Sequence, residues 1–342
     1  MATPARARST AAERELERLR DGAELAEWAP AGRAVRPGAW LEQAEPTPER
    51  IRLALREGRF SDAAALGRHL VTEAQEIHDL YSEWAAAVPR ILARRGVSPE
   101  RLAEAGREAV RDTGAGDPGA EWMAFLEAVD GFARDCDQRD AHHEQQLSDA
   151  IGTWRTAHDR HLGLVAWWIA FAVEELGEDG LGELWRELEA EGISSYERYD
   201  IRQTPWERSF AFLVQTAIEG MHGHLGGPTG EGEVEVRDHG DRVQLTFSPC
   251  GSGGRLRAAQ RFGVTTARYD WAWNEVGVCH YCVHCCVLQQ LEPIDNLGYP
   301  ARVIDPPLAA GDSCSWTVYR DPAGIPDSAY RRVGRRKPAS AD

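Results

Sequence analysis

No apolar run in the chain reaches the roughly 18 residues of a transmembrane helix. The longest candidate, Leu162 to Val173, is too short and reads as a buried helix. Residues 1–20, rich in Ala, Arg and Glu, lack the apolar core of a secretory leader. A cytoplasmic location and no membrane partner are expected. Positive charge is also short: 39 Lys and Arg against 55 Asp and Glu leave a net charge of −16. Phosphate backbones are held by clustered cations, so no nucleic-acid partner is expected. The basic run 331–337 reads as a solvated segment. There is no dinucleotide fingerprint, and the loop Gly251-Ser252-Gly253-Gly254 lacks the Lys-Ser/Thr of a phosphate loop. Cysteine is scarce early on: only Cys136 precedes Cys250.

What is present supports a folded protein. A hydrophobic fraction of 42% can build a core and is not a disordered composition. The pattern divides into an irregular arm over 1–46, a helical domain over 47–203, an α+β domain over 204–325 and a basic tail over 326–342. In the arm, Trp28 and Trp40 are expected to dock on the body. Thr47-Pro48-Glu49 reads as an N-cap followed by Pro in the first turn, and Ser98-Pro99-Glu100 repeats that signature. A long helix is predicted from about Ser61 to Arg94 despite Pro89, and others over about 121–138 and 140–176. Two His-Asp pairs, His78-Asp79 and His158-Asp159, open stretches of similar length ending in Gly. After Gly226-Gly227-Pro228 the period changes to two. Glu233 to Arg237 and Arg242 to Phe247 alternate and predict a hairpin. Residues 287–291 read as helix, 301–304 and 315–319 as strands. The expected fold is α+β, a mainly helical part packed on an antiparallel sheet with a Cys/His metal site.

The chemistry concentrates in Cys279-His280-Tyr281-Cys282-Val283-His284-Cys285-Cys286. Thiols this close in a cytosolic chain point to metal binding or thiol chemistry rather than disulfides. Zinc takes four thiolate or imidazole ligands, often from a C-x-x-C pair and a distant loop. Cys282 with Cys285 is one such pair, Cys279 with Cys282 an overlapping one, and Cys250 is the loop candidate. His284 is a fourth ligand or a base, and Cys314 a further candidate. An iron–sulfur cluster is the lesser metal alternative, because the spacing matches no ferredoxin pattern. Without a metal, Cys250 is a candidate nucleophile, with the following glycines as an oxyanion hole and a histidine as base. Cys286 and Cys136 read as packing residues.

Among the histidines, His158 and His161 share one helix face, with Asp159 pointing elsewhere. Three residues before His78 stands Gln75, and before His158 Arg155, so a di-iron Glu-x-x-His pair is absent at both. His222 and His224 lie where helix meets sheet, a favoured pocket position.

The hairpin, helix and strand pair ending in Gly311-Asp312-Ser313-Cys314-Ser315-Trp316 resembles the 4-vinyl reductase-type small-molecule-binding domain. It also resembles the L-2-amino-thiazoline-4-carboxylate hydrolase-like proteins. The resemblance covers about residues 205–320, and the Cys250 loop and dense Cys/His cluster depart from it. It implies a ligand-binding α+β domain, carries over only Cys314, and in the hydrolase case suggests C–N or C–S bond hydrolysis. The expected function is thus a zinc-dependent enzyme that hydrolyses or lyses a C–N or C–S bond in a small polar metabolite. His284, His222, His224, His158 and His161 are the candidate catalytic residues. A small-molecule or redox-sensing module with a structural zinc, and a metal-free hydrolase using Cys250, are the alternatives.

Overall fold

The computed structural model describes residues 9–139, 142–191, 203–260, 263–309 and 311–338. Helix dominates its first part. Following α1 (Ala11–Leu19), a short hairpin of β1 (Ala26–Trp28) and β2 (Arg33–Val35) leads to α2 (Trp40–Gln43). Trp28 and Trp40 are buried, so the arm docks through its tryptophans. Then come α3 (Thr47–Arg56), α4 (Phe60–Arg94), α5 (Pro99–Thr113), α6 (Pro118–Gln138), α7 (His143–Leu176) and α8 (Leu181–Glu191). The starts follow cap chemistry: Ser98 Oγ accepts the Arg101 N–H at 3.2 Å, and Asp117 Oδ1 accepts that of Ala120 at 2.8 Å. Thr47 is not the expected cap. It is the first helical residue, and its hydroxyl donates to Glu73 Oε1 at 2.6 Å.

Two long helices form the frame. In α4, Ile77, Tyr81, Trp84, Val88 and Ile91 recur every three to four residues and are all buried. Each such side chain contributes about 1.5–3 kcal/mol when fully removed from water. Pro89 lies inside α4, which continues to Arg94. In α7 the buried stripe is Ile151, Trp154, His158, His161, Val165 and Trp168. Its two histidines therefore sit at core positions of the helix.

The second part begins with α9 (Trp206–Gly223), which packs on α4 and on the sheet. The sheet has β3 (Glu235–Asp238), β4 (Arg242–Phe247), β5 (Val303–Asp305) and β6 (Cys314–Tyr319), antiparallel in the order β3-β4-β6-β5. Val243, Leu245 and Phe247 share the buried face of β4, as the alternation predicts. Pairing of Phe247 with Cys314 brings the start of β6 beside the chain entering the Cys250 loop. Between the strands lie α10 (Gly253–Ala258) and a continuous helical run: α11 (Val283–Cys286), a π turn over Val287–Leu291, and α12 (Glu292–Leu297). Pro293 accounts for the π turn, since it has no N–H to give the Gln289 carbonyl. That carbonyl instead accepts from Ala301 N–H at 3.0 Å and Arg302 N–H at 3.2 Å, which anchors the approach to β5.

One contiguous core runs through both parts, from Ala12 to Val333. The basic run at the end is only partly solvated. It begins at the end of α13 (Asp327–Arg331), and while Arg331 and Arg336 are exposed, Val333 is buried and Arg335 pairs with Asp295 at 2.5 Å. Among the described residues no helix is long and apolar enough to cross a membrane.

Candidate active site

A cavity of about 40 Å³ lies between α9, α10, α11 and the sheet, lined by Cys250, Cys282, Cys285 and Cys314. His224, His284, Ser252 and Tyr281 also line it. A volume of this size admits two or three waters or a small polar group. Cys279 sits just behind the wall. Cys282 S–H donates to it, and the N–H groups of Cys282 and Tyr281 add to that bond. This holds the Cys279 thiol below the usual cysteine range, while the same bond and burial push the Cys282 thiol well above it.

Cys250 is also met by protein dipoles. Burial holds its thiol above the usual cysteine range, and the N–H groups of Gly254 (3.1 Å to Sγ) and Ser252 partly offset that shift. The glycine loop therefore serves the sulfur itself rather than standing free as an oxyanion hole. Its glycines are needed for space: a Cβ at Gly253 would overlap Cys282 Sγ, and one at Gly251 the His224 carbonyl.

His284 is boxed by Trp84, Trp185 and Tyr281, with ring centroids at 5.2, 5.4 and 4.7 Å. Burial there pushes its pKa down to about 4. Its Nδ1 lies 2.5 Å from the Tyr281 carbonyl, so Nδ1 carries the proton and Nε2 is the acceptor. Cys285 Sγ, 3.2 Å from Nε2, donates to it. Cys286 donates to the Asp270 carbonyl, outside the cavity wall, and Cys136 is buried in α6, as packing residues would be.

The candidate histidines separate into four places. His224 and His284 line the cavity. His158 stands one bond behind, with Nε2 3.1 Å from His224 Nδ1. His161 faces Glu121 at 3.0 Å and does not line the cavity. His222 also lies elsewhere. It bonds Glu73 at 3.0 Å within a buried network with His69, Glu219, Thr47 and Arg36. That network went unseen in the sequence, although Glu219-x-x-His222 and His69-x-x-x-Glu73 put both pairs at helical contact spacing. Asp159 was also misplaced: its carboxylate reaches His158 Nδ1 at 2.9 Å.

Among the described residues, no three His, Cys, Asp or Glu side chains converge on a point that holds a metal ion. The donors are instead paired with one another, Cys282 with Cys279 and Cys285 with His284. The fold and site define a mainly helical α+β protein with a small internal cavity walled by thiols and imidazoles. No family model, no curated protein and no solved structure matches this chain.

Proposed function

We propose that the thiol-walled cavity is the active centre of an enzyme that hydrolyses a C–N or C–S bond in a small polar metabolite, with Cys250 as nucleophile. The observation that carries this reading is Cys250 itself, a cavity thiol whose sulfur accepts backbone N–H bonds. Such bonds stabilise the thiolate that attacks. The His224 imidazole of the same cavity is kept neutral by burial and accepts its proton. The sulfur then bonds the substrate carbon, the C–N or C–S bond breaks, and the leaving group takes the proton from the imidazolium. Water, deprotonated by the same imidazole, breaks the S–C bond and restores the thiol. The cavity volume suits a short reacting group, which matches a small substrate.

Zinc on Cys250, Cys282 and Cys285 with His284 is the second reading. His284 favours it: Nδ1–H is anchored on a backbone carbonyl, the usual posture of a metal-bound imidazole. Zinc would supply a Lewis acid and hold the thiols as thiolates.

The test is incubation of the chain with a small activated ester such as p-nitrophenyl acetate, followed by intact-mass and peptide analysis. Acyl transfer to Cys250, lost in Cys250→Ser, is the expected result. Undiminished turnover in Cys250→Ser would end the nucleophile reading. Stoichiometric zinc in anaerobically purified protein, lost in Cys282→Ser, would favour the second. Binding without turnover would favour a sensing module.

A further inference from the structure

Behind the cavity, hydrogen bonds run from His224 to the surface, and their direction is fixed by chemistry. Asp159 carries an ionised carboxylate. Burial raises it, but His158 and Arg255 outweigh that and hold it below the usual range. An ionised carboxylate only accepts. His158 Nδ1, 2.9 Å from Asp159 Oδ1, therefore carries its proton. A neutral imidazole has one N–H, so His158 Nε2 is an acceptor. Its partner at 3.1 Å is His224 Nδ1, which must donate. Tyr81 Oη, 3.2 Å from the same nitrogen, accepts a share of that N–H and also the Tyr281 hydroxyl at 3.4 Å. Only Nε2 of His224 is left as a lone pair, on a residue that lines the cavity.

We infer that Asp159 and His158 are positioning residues that fix His224 as the base of the thiol-walled cavity, with its Nε2 lone pair available to the reacting thiol. This rests on the reading of the cavity as an active centre. His224 Nε2 takes the Cys250 proton. The Nδ1 proton of His224 shifts to His158 Nε2, and the positive charge comes to rest beside the Asp159 carboxylate. No atom or electron is left over. The logic is that of a carboxylate orienting a catalytic imidazole, extended by one imidazole. Arg255 holds both ends. It donates to Asp159 Oδ2 at 2.5 Å and to the carbonyl of Leu225, next to His224, at 3.3 Å.

The second His-Asp pair shows that the dipeptide alone does not make this device. His78 stacks on Trp122 at 4.6 Å, with its Nδ1 unpartnered in the described structure. Asp79 accepts from Gln75 at 2.8 Å instead. Asp79→Asn is thus the matched control.

The test is ¹⁵N NMR of the full chain labelled at histidine. The wild type should show both His158 and His224 as Nδ1–H tautomers. In Asp159→Asn, Arg255 claims the amide oxygen and the amide NH₂ faces His158 Nδ1. Both imidazoles should switch to Nε2–H, as a carboxylate-to-amide change does in a catalytic triad. Alkylation of Cys250 by iodoacetamide should slow by roughly 10²-fold or more, the usual share of a general base. Asp159→Glu should restore both signals, and Asp79→Asn should move neither. An Nε2–H tautomer of His224 in the wild type, which needs no variant to fold, would overturn the inference. So would an unchanged His224 tautomer in a folded Asp159→Asn. Failure of acyl transfer to Cys250 would instead remove the enzyme reading and leave the tautomer result standing.

Discussion

Two buried polar clusters sit within five residues of each other along the end of α9, and they are built on opposite principles. Glu219 and His222 belong to a network of charges with Glu73, His69, Arg33 and Arg36. Two carboxylates face two guanidiniums and two imidazoles. His224 belongs to the cavity, whose groups are neutral thiols, phenols and imidazoles around a void. Charges are buried only when partnered, because removing an ion from water costs several kcal/mol. Neutral polar groups can face an empty space that a ligand fills. The first cluster is therefore a device for joining α4, α9 and the N-terminal arm. The second has the character of a site.

The largest test of that contrast is truncation. Glu219→Ala leaves Arg33 without its carboxylate partner and opens buried space beside His69. A loss of about 3–5 kcal/mol is expected on urea unfolding, the range for breaking a buried ion pair. Cys314→Ala, in the cavity wall, removes one neutral sulfur and should cost less than about 1.5 kcal/mol. Equal losses would mean that the thiols are as structural as the charges.

Acid should then separate the two clusters. Burial raises the Glu219 carboxyl, but His69 and Arg33 outweigh it and hold the pKa at about 2, below the ordinary 4.5. A lowered acid stabilises the fold above its unfolded pKa, and that contribution is lost as pH falls from 4.5 through about 2. The shift corresponds to ~3 kcal/mol. His224 is lowered by burial, then by the nearby His158, His284 and Arg255, so the unfolded chain takes up its proton first. Its contribution is complete above a pH of about 6.5 and declines below it. Stability measured against pH should fall in two stages, the upper stage smaller in His224→Gln and the lower one smaller in Glu219→Gln. A single acid transition near pH 4 in all three proteins would contradict this assignment.

Much of the frame was legible in the sequence, because helix caps and period-two alternation are local signals. Ser98 acts on a donor three residues away, and Val243, Leu245 and Phe247 alternate within one strand. The convergence of Cys250 on the Cys282–Cys285 stretch was also inferable, since glycine loops and C-x-x-C spacing narrow what such residues do. Cys314 joins them through strand register with Phe247, a long-range pairing that no local pattern encodes. The division of the histidines could not be read. His222 and His224 are two residues apart, yet a helix end turns one toward Glu73 and the other toward the cavity. Helical spacing also misjudged Asp159, because an adjacent carboxylate can fold back onto its neighbour's ring.

The smallest effect probes the void itself, using two glycines that each lack room for a Cβ. At Gly223 the added carbon would overlap the Glu73 carbonyl, where α9 crosses α4. Backbone cannot step aside there without moving a helix that carries the charge network. Gly223→Ala should cost toward the upper end of the ~1–3 kcal/mol of an overpacked core. At Gly253 the obstacle is Cys282 Sγ, a side-chain atom that borders the 40 Å³ cavity. The sulfur can turn into that space, so Gly253→Ala should cost about 1 kcal/mol or less. The same movement fills the cavity, and acyl transfer to Cys250 should fall while the thermal midpoint barely shifts. A large stability loss in Gly253→Ala would mean that the space beside Cys282 is not free to accept it.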